Sequence, residues 1–108
     1  MRLSIIVPFY NVSKWIGKCI ASVRNQGLGP DDYEIIAVND GSTDDSLDLL
    51  NAFLEREAKS GEKTAPVVII NQENKGLSAA RNVALDVARG EYVCFVDGDD
   101  KIATNWLE

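Results

Sequence analysis

The sequence predicts an α/β domain whose mostly parallel sheet carries helices on both faces. Two observations predict it. Four short apolar runs rich in β-branched residues alternate with three stretches whose apolar residues recur at three- and four-residue steps. Each link between successive runs is long enough to hold a helix, which a parallel crossover requires and a hairpin does not. With 108 residues, 45% hydrophobic and 26% charged, the chain has the balance of one globular core, so 1–108 is read as a single domain.

The first run, Leu3–Val7, is of the kind buried on both faces and is stopped by Pro8. Val12, Trp15, Ile16, Cys19, Ile20 and Val23 then form one helical stripe, with Asn11 or Ser13 as N-cap and Gly27 as the stop. Glu34–Val38 is a second strand. The turn from Asp40 to Asp45 supplies cap residues and first-turn carboxylates to a second helix, marked by Leu47, Leu50, Phe53 and Leu54 and closed by Arg56 and Lys59. After an exposed loop, Val67–Ile70 reads as a third buried strand. Ser78–Ala88 gives a helix with small residues on its packed side, stopped by Gly90, and Tyr92–Val96 is the fourth strand.

Eleven Lys and Arg against 17 Asp and Glu leave a net charge of -6. No basic face is available to neutralise a nucleic-acid backbone, so no nucleic-acid partner is expected. The sequence has no His, which removes His bases, Ser/His/Asp and Cys/His catalysis and His-dependent zinc sites. Carboxylates must carry any acid-base or metal chemistry. Cys19 and Cys94 fall in apolar patterns far apart in the chain and read as buried thiols of a reducing compartment, not a disulfide. No stretch approaches the length of a membrane span.

In parallel α/β sheets ligands bind beyond the carboxyl ends of the strands, which directs attention to four loops. Asp97-Gly98-Asp99-Asp100 follows the fourth strand. Residues two apart in an extended chain share a side, so Asp97 and Asp99 can approach one hard cation such as Mg²⁺ or Mn²⁺, with Gly98 keeping the path between them open. Asp-Gly after a strand is also an ordinary turn signal. Asp40 could accept the N3–H of uracil or thymine, where cytosine offers only an acceptor; guanine, with its own N–H donors, fits the same argument, and Ser42, Asp44 and Asp45 read most simply as helix caps. Pro8-Phe9-Tyr10-Asn11 lacks the Gly-rich dinucleotide fingerprint and offers instead a rigid turn, an aromatic ring and an amide suited to a base. Lys75 and Arg81 lie at the start of the third helix, whose N-terminus already favours an anion. Lys75 could reach a phosphate; Arg81 could do the same or pair with a loop aspartate.

In Ser4–Asn11, Val38–Asp44, Asn74–Asn82 and Phe95–Asp100, taken in this order and each at a strand end, the chain resembles the amino-terminal half of a family 2 glycosyltransferase of the Rossmann-like GT-A fold. The resemblance covers nearly the whole chain. It implies a site for a nucleotide-diphospho-sugar, with UDP-sugar the expected donor. Pro8, Tyr10 and Asp40 would hold the base and Lys75 would lie near the nucleotide. Asp97 to Asp99 would be the D-x-D motif, Asp97 toward the ribose and Asp99 toward the metal, with Asp100 a second candidate ligand. The second loop reads Asn39-Asp40 where many relatives have two acids.

The resemblance further implies metal-assisted, inverting transfer to a carbohydrate or lipid-linked acceptor hydroxyl, as in polysaccharide biosynthesis. The general base is expected beyond Glu108, so residues 1–108 are expected to bind donor without transferring sugar. Dimerisation through a surface left open by the absent half is a further expectation. The expected location is cytoplasmic, at the inner face of the membrane if the whole protein is attached there. A nucleotidyltransferase would want a Gly-rich loop after the first strand, and a phospho-accepting receiver would want acids there; this sequence has neither.

Overall fold

A computed structural model of the chain describes residues 2–98. Seven elements alternate: β1 (Leu3–Phe9), α1 (Ile16–Arg24), β2 (Tyr33–Asp40), α2 (Ser46–Lys59), β3 (Val67–Gln72), α3 (Leu77–Val87) and β4 (Tyr92–Phe95). The strands form one parallel sheet in the order β3-β2-β1-β4.

Alternation along the strands divides the core in two. Ile5, Val7, Phe9, Ile35 and Ala37 point to one face and meet Ile16, Cys19 and Ile20 of α1 and Leu50 of α2. Ile6, Ile36 and Val38 point to the other and meet Ala80 and Ala84 of α3, whose small side chains let that helix sit close to the sheet. The first two crossovers step outward from β1 on the α1–α2 face. The third carries the chain back over β2 and β1 to β4 on the opposite face. The strand order therefore reverses between β1 and β4, and the carboxyl ends of those two strands open a crevice.

Several boundaries differ from expectation. β1 continues through Pro8 to Phe9. The Pro8 carbonyl accepts the Gly98 N–H, so the side lacking an N–H faces past the end of β4, where no ladder bond is broken. α1 begins at Ile16, because Val12 and Trp15 close a separate turn in which the Trp15 and Ile16 N–H groups donate to the Val12 carbonyl. Neither Asn11 nor Ser13 caps it. β3 is half-buried rather than buried: it is a sheet edge, and α3 lies over β2 and β1. Cys19 is buried and Cys94 half-buried, with no disulfide between them. Among the described residues no helix is long and apolar enough to cross a membrane.

Candidate functional site

The crevice between β1 and β4 is a cavity of about 400 Å³. Pro8 and Tyr10 line it from the end of β1, Asp40 from the end of β2, Gly76 and Leu77 from the start of α3, and Asp97 and Gly98 from beyond β4. Four loops distant in sequence meet here because all four strands run parallel and deliver their carboxyl ends to one rim.

Asp40 is its most tightly held member. It is buried. Its Oδ1 accepts hydrogen bonds from Gln72 Nε2 and the Lys75 N–H, both at 2.8 Å, and its Oδ2 accepts one from the Gly76 N–H at 3.0 Å. Burial alone pushes its carboxyl up, but the three donors outweigh it and hold the group below the usual carboxylate range. A carboxylate offers about four lone-pair positions, so a single one, on Oδ2, is left for a ligand. Gly41 follows at φ 74, and an added Cβ there would lie 2.7 Å from the Asn74 nitrogen. The 72–76 loop thus rests directly on the end of β2.

Asn39 faces away from Asp40 and takes no part in the cavity. Its Nδ2 donates to Asn71 Oδ1 and its Oδ1 accepts the Ser42 N–H. Asn11 is likewise turned aside: its Oδ1 accepts the Thr43 N–H at 2.8 Å. Asp44 does the capping work at α2, its Oδ1 accepting from the Ser46 N–H and hydroxyl and its Oδ2 from the Ser13 N–H. Burial raises its pKa, and these bonds more than reverse that, leaving it low. Asp45 occupies the N-cap without a side-chain bond.

Asp97 stands on the far wall, its Oδ1 3.3 Å from an Arg81 guanidinium nitrogen. The guanidinium also lies over the Phe95 ring, 5.7 Å from its centroid. Arg81 therefore takes the aspartate-pairing alternative, and among the described residues its Nε is the buried side-chain nitrogen without a hydrogen-bond partner. Gly98 is buried, and a Cβ there would come within 2.6 Å of the Phe9 Cβ, so only glycine lets the chain beyond β4 close the cavity. Lys75 contributes its backbone N–H to Asp40, while its side chain is not part of the lining.

Of the three acids expected to hold a metal, Asp97 is described, while Asp99 and Asp100 lie outside the described residues. Among the described residues no cluster of three or more metal-binding side chains occurs. Asp97 itself fits a hard cation in chemistry, being a half-exposed oxygen donor on the cavity wall. Sequence reasoning missed Gln72 and Leu77. Gln72 is legible in retrospect as an amide in strand register with Asp40.

The family model described as Glycosyl transferase family 2 matches residues 4–108. The poly(ribitol-phosphate) beta-glucosyltransferase of Bacillus spizizenii is 42% identical over 109 residues, covering 99% of this chain and 16% of that protein. The crystal structure of S. aureus TarS 1-349 in complex with UDP superposes with a TM-score of 0.80 at 32% identity, covering 99% of this chain and 30% of that one. The mannosyltransferase PcManGT from Pyrobaculum calidifontis, in complex with GDP-Man and Mn2+, superposes with a TM-score of 0.82 at 28% identity, covering 91% of this chain and 27% of that one. The chain thus spans less than a third of each of these relatives.

Proposed function

Because the chain belongs to glycosyl transferase family 2, we propose that it is the donor-binding part of an inverting glycosyltransferase that moves sugar from a UDP-sugar to the hydroxyl of a carbohydrate or lipid-linked acceptor. The observation that carries this reading is the meeting of Tyr10, Asp40 and Asp97 on one cavity at the β1/β4 reversal.

The remaining lone pair on Asp40 Oδ2 suits the N3–H of uracil and is wrong for cytosine, which presents an acceptor there. The Tyr10 ring suits the face of the base, and Pro8 stiffens the approach to it. Asp97 suits a ribose hydroxyl. UDP and UDP-GlcNAc complexes of S. aureus TarS support this choice of donor. Mg²⁺ or Mn²⁺ would be held by Asp99 together with Asp97 and Asp100 and would supply Lewis-acid stabilisation to the leaving nucleoside diphosphate. The Mn2+ in the PcManGT complex supports the use of a divalent metal. In this reading neither described carboxylate of the cavity is the general base: Asp40 is engaged by three donors and Asp97 by Arg81, which is consistent with their roles toward the donor. The reading places the base outside the described residues, which hold the donor without transferring sugar.

Thermal melting with UDP, with Mn²⁺ and with both tests the reading. A ligand present at 100 times its dissociation constant stabilises by about 2.7 kcal/mol, so UDP and Mn²⁺ together raise the melting temperature by more than the sum of either alone. Melting unmoved by the pair, or moved equally by CDP, refutes it.

A further inference from the structure

Asn11 directly follows the ring that faces the cavity, yet its own side chain is spent elsewhere. It holds φ at 51, the left-handed region that Asn tolerates better than most residues. That twist turns the chain sharply after Tyr10. Around it, β1 and the start of α2 are laced together. The Asn11 N–H donates to Ser42 Oγ at 3.1 Å, its Nδ2 to Thr43 Oγ1 at 3.2 Å, and its Oδ1 accepts from the Thr43 and Asp44 N–H groups at 2.8 and 3.3 Å. The next two residues continue the seam, Val12 N–H donating to Ser46 Oγ and Ser13 N–H to Asp44 Oδ2. Every polar atom of the Asn11 amide is engaged across this seam, 31 to 33 residues away in sequence.

We propose that Asn11 is a positioning residue for the donor site: it sets the Tyr10 ring against the cavity by locking the turn after it to the 42–44 loop that leads into α2, and it does not touch the nucleotide. The proposal rests on the reading of the cavity as a donor site. The backbone twist and the side-chain lacing act on the same peptide, so they can be separated by substitution. Asn11→Gly keeps access to the positive φ and loses the lacing. Asn11→Asp keeps the acceptor for the Thr43 and Asp44 N–H groups just before α2. Asn11→Ala loses both.

The purified protein is titrated with UDP and CDP, and the Tyr10 ring resonances are followed by NMR without ligand. UDP affinity falls about tenfold in Asn11→Ala, less in Asn11→Gly, and Asn11→Asp restores most of it. The ratio of UDP to CDP affinity stays constant across the series, because a ring that is merely tilted weakens stacking on any base. In a Tyr10→Ala background the Asn11→Ala loss disappears. A changed UDP to CDP ratio, or an undiminished loss without Tyr10, makes Asn11 a direct base contact and overturns the proposal. If UDP fails to bind the unsubstituted protein, the donor-site reading falls alone. The ligand-free NMR still decides this inference: Tyr10 ring signals shift in Asn11→Ala and return in Asn11→Asp, and unshifted signals overturn it.

Discussion

Gly41→Ala tests whether the 72–76 loop is held where the site needs it. The residue sits at φ 74, and an added Cβ would lie 2.7 Å from the Asn74 nitrogen and 3.2 Å from its Cα. Gly27 provides the control: its φ is 76, and a Cβ there meets nothing within 4 Å. The left-handed conformation costs an alanine about 1–2 kcal/mol at either position, and the gain from a stiffer unfolded chain is common to both. Only at Gly41 must a neighbour move, and that neighbour is backbone. Asn74 immediately precedes the Lys75 and Gly76 N–H groups bonded to Asp40 at 2.8 and 3.0 Å. Hydrogen bonds to a charged group contribute about 1.5–3 kcal/mol each, so stretching both to half strength removes about as much as one whole bond. Gly27→Ala should then cost about 1–2 kcal/mol and Gly41→Ala about 2.5–5 kcal/mol. Urea denaturation at constant m-value reads the difference, and UDP titration should show weakened binding in Gly41→Ala alone. Equal losses in the two variants would mean that the loop yields freely, and the account of Asp40 as its anchor would be wrong.

Asp40→Asn turns an acceptor into an amide donor opposite either Gly76 or Lys75, and should cost about 1–3 kcal/mol in urea denaturation along with most of the preference for UDP over CDP. Arg81→Met separates site from fold. The Arg81–Asp97 pair is 38% and 47% exposed, so stability should change by less than about 1 kcal/mol while UDP titration records a clear loss. In Arg24→Ala the Glu57 carboxylate loses two bonds at 3.1 and 3.0 Å, and the Tyr33 hydroxyl and Ala65 carbonyl lose theirs; about 2–4 kcal/mol should go with them, nucleotide affinity unchanged. Glu34 predicts the acid limb. Burial raises its pKa, and the Ser4 hydroxyl and the Arg89 backbone and side chain bring it below its ordinary 4.5. Since the folded value lies below the unfolded one, the stabilisation is complete above the unfolded value and disappears as pH falls through the folded one. Asp40 and Asp44 act in the same direction. The melting temperature should drop steeply below about pH 4.5, and less steeply in Glu34→Gln.

The alternation of elements was legible because strand and helix periodicities are local. So was the place of the cavity, since parallel strands deliver their carboxyl ends to one rim. What was not legible is pairing across the chain. An amide beside an exposed aromatic ring looks available to a base, yet the partners of Asn11 are more than 30 residues away. Glu34 stands in a strand buried on both faces, where a charged side chain must find partners. It finds them in Ser4, its neighbour in register, and Arg89. Element ends failed where tertiary bonds outrank local caps, as at α1, whose candidate caps Asn11 and Ser13 are drawn off to α2.

The same logic explains how α3 stays in place. It has no side-chain N-cap, no acid in its first turn and no base in its last, and it buries only Ala80 and Ala84. Left to itself such a helix is marginal. Its ends are held instead by one strand. Glu34 and Asp40 lie on the same face of β2, six residues or about 20 Å apart, and α3 spans eleven residues, or about 16 Å. Asp40 takes the Lys75 and Gly76 N–H groups just before the helix, and Glu34 takes the Arg89 N–H just after it. Two buried carboxylates thus tether the chain just before and just after the helix to β2. The end that Asp40 holds is the end that lines the cavity, so the carboxylate proposed to meet the base also fixes the adjoining wall. Binding and architecture therefore cannot be separated at Asp40, whereas they can at Arg81, whose pair with Asp97 is open to solvent.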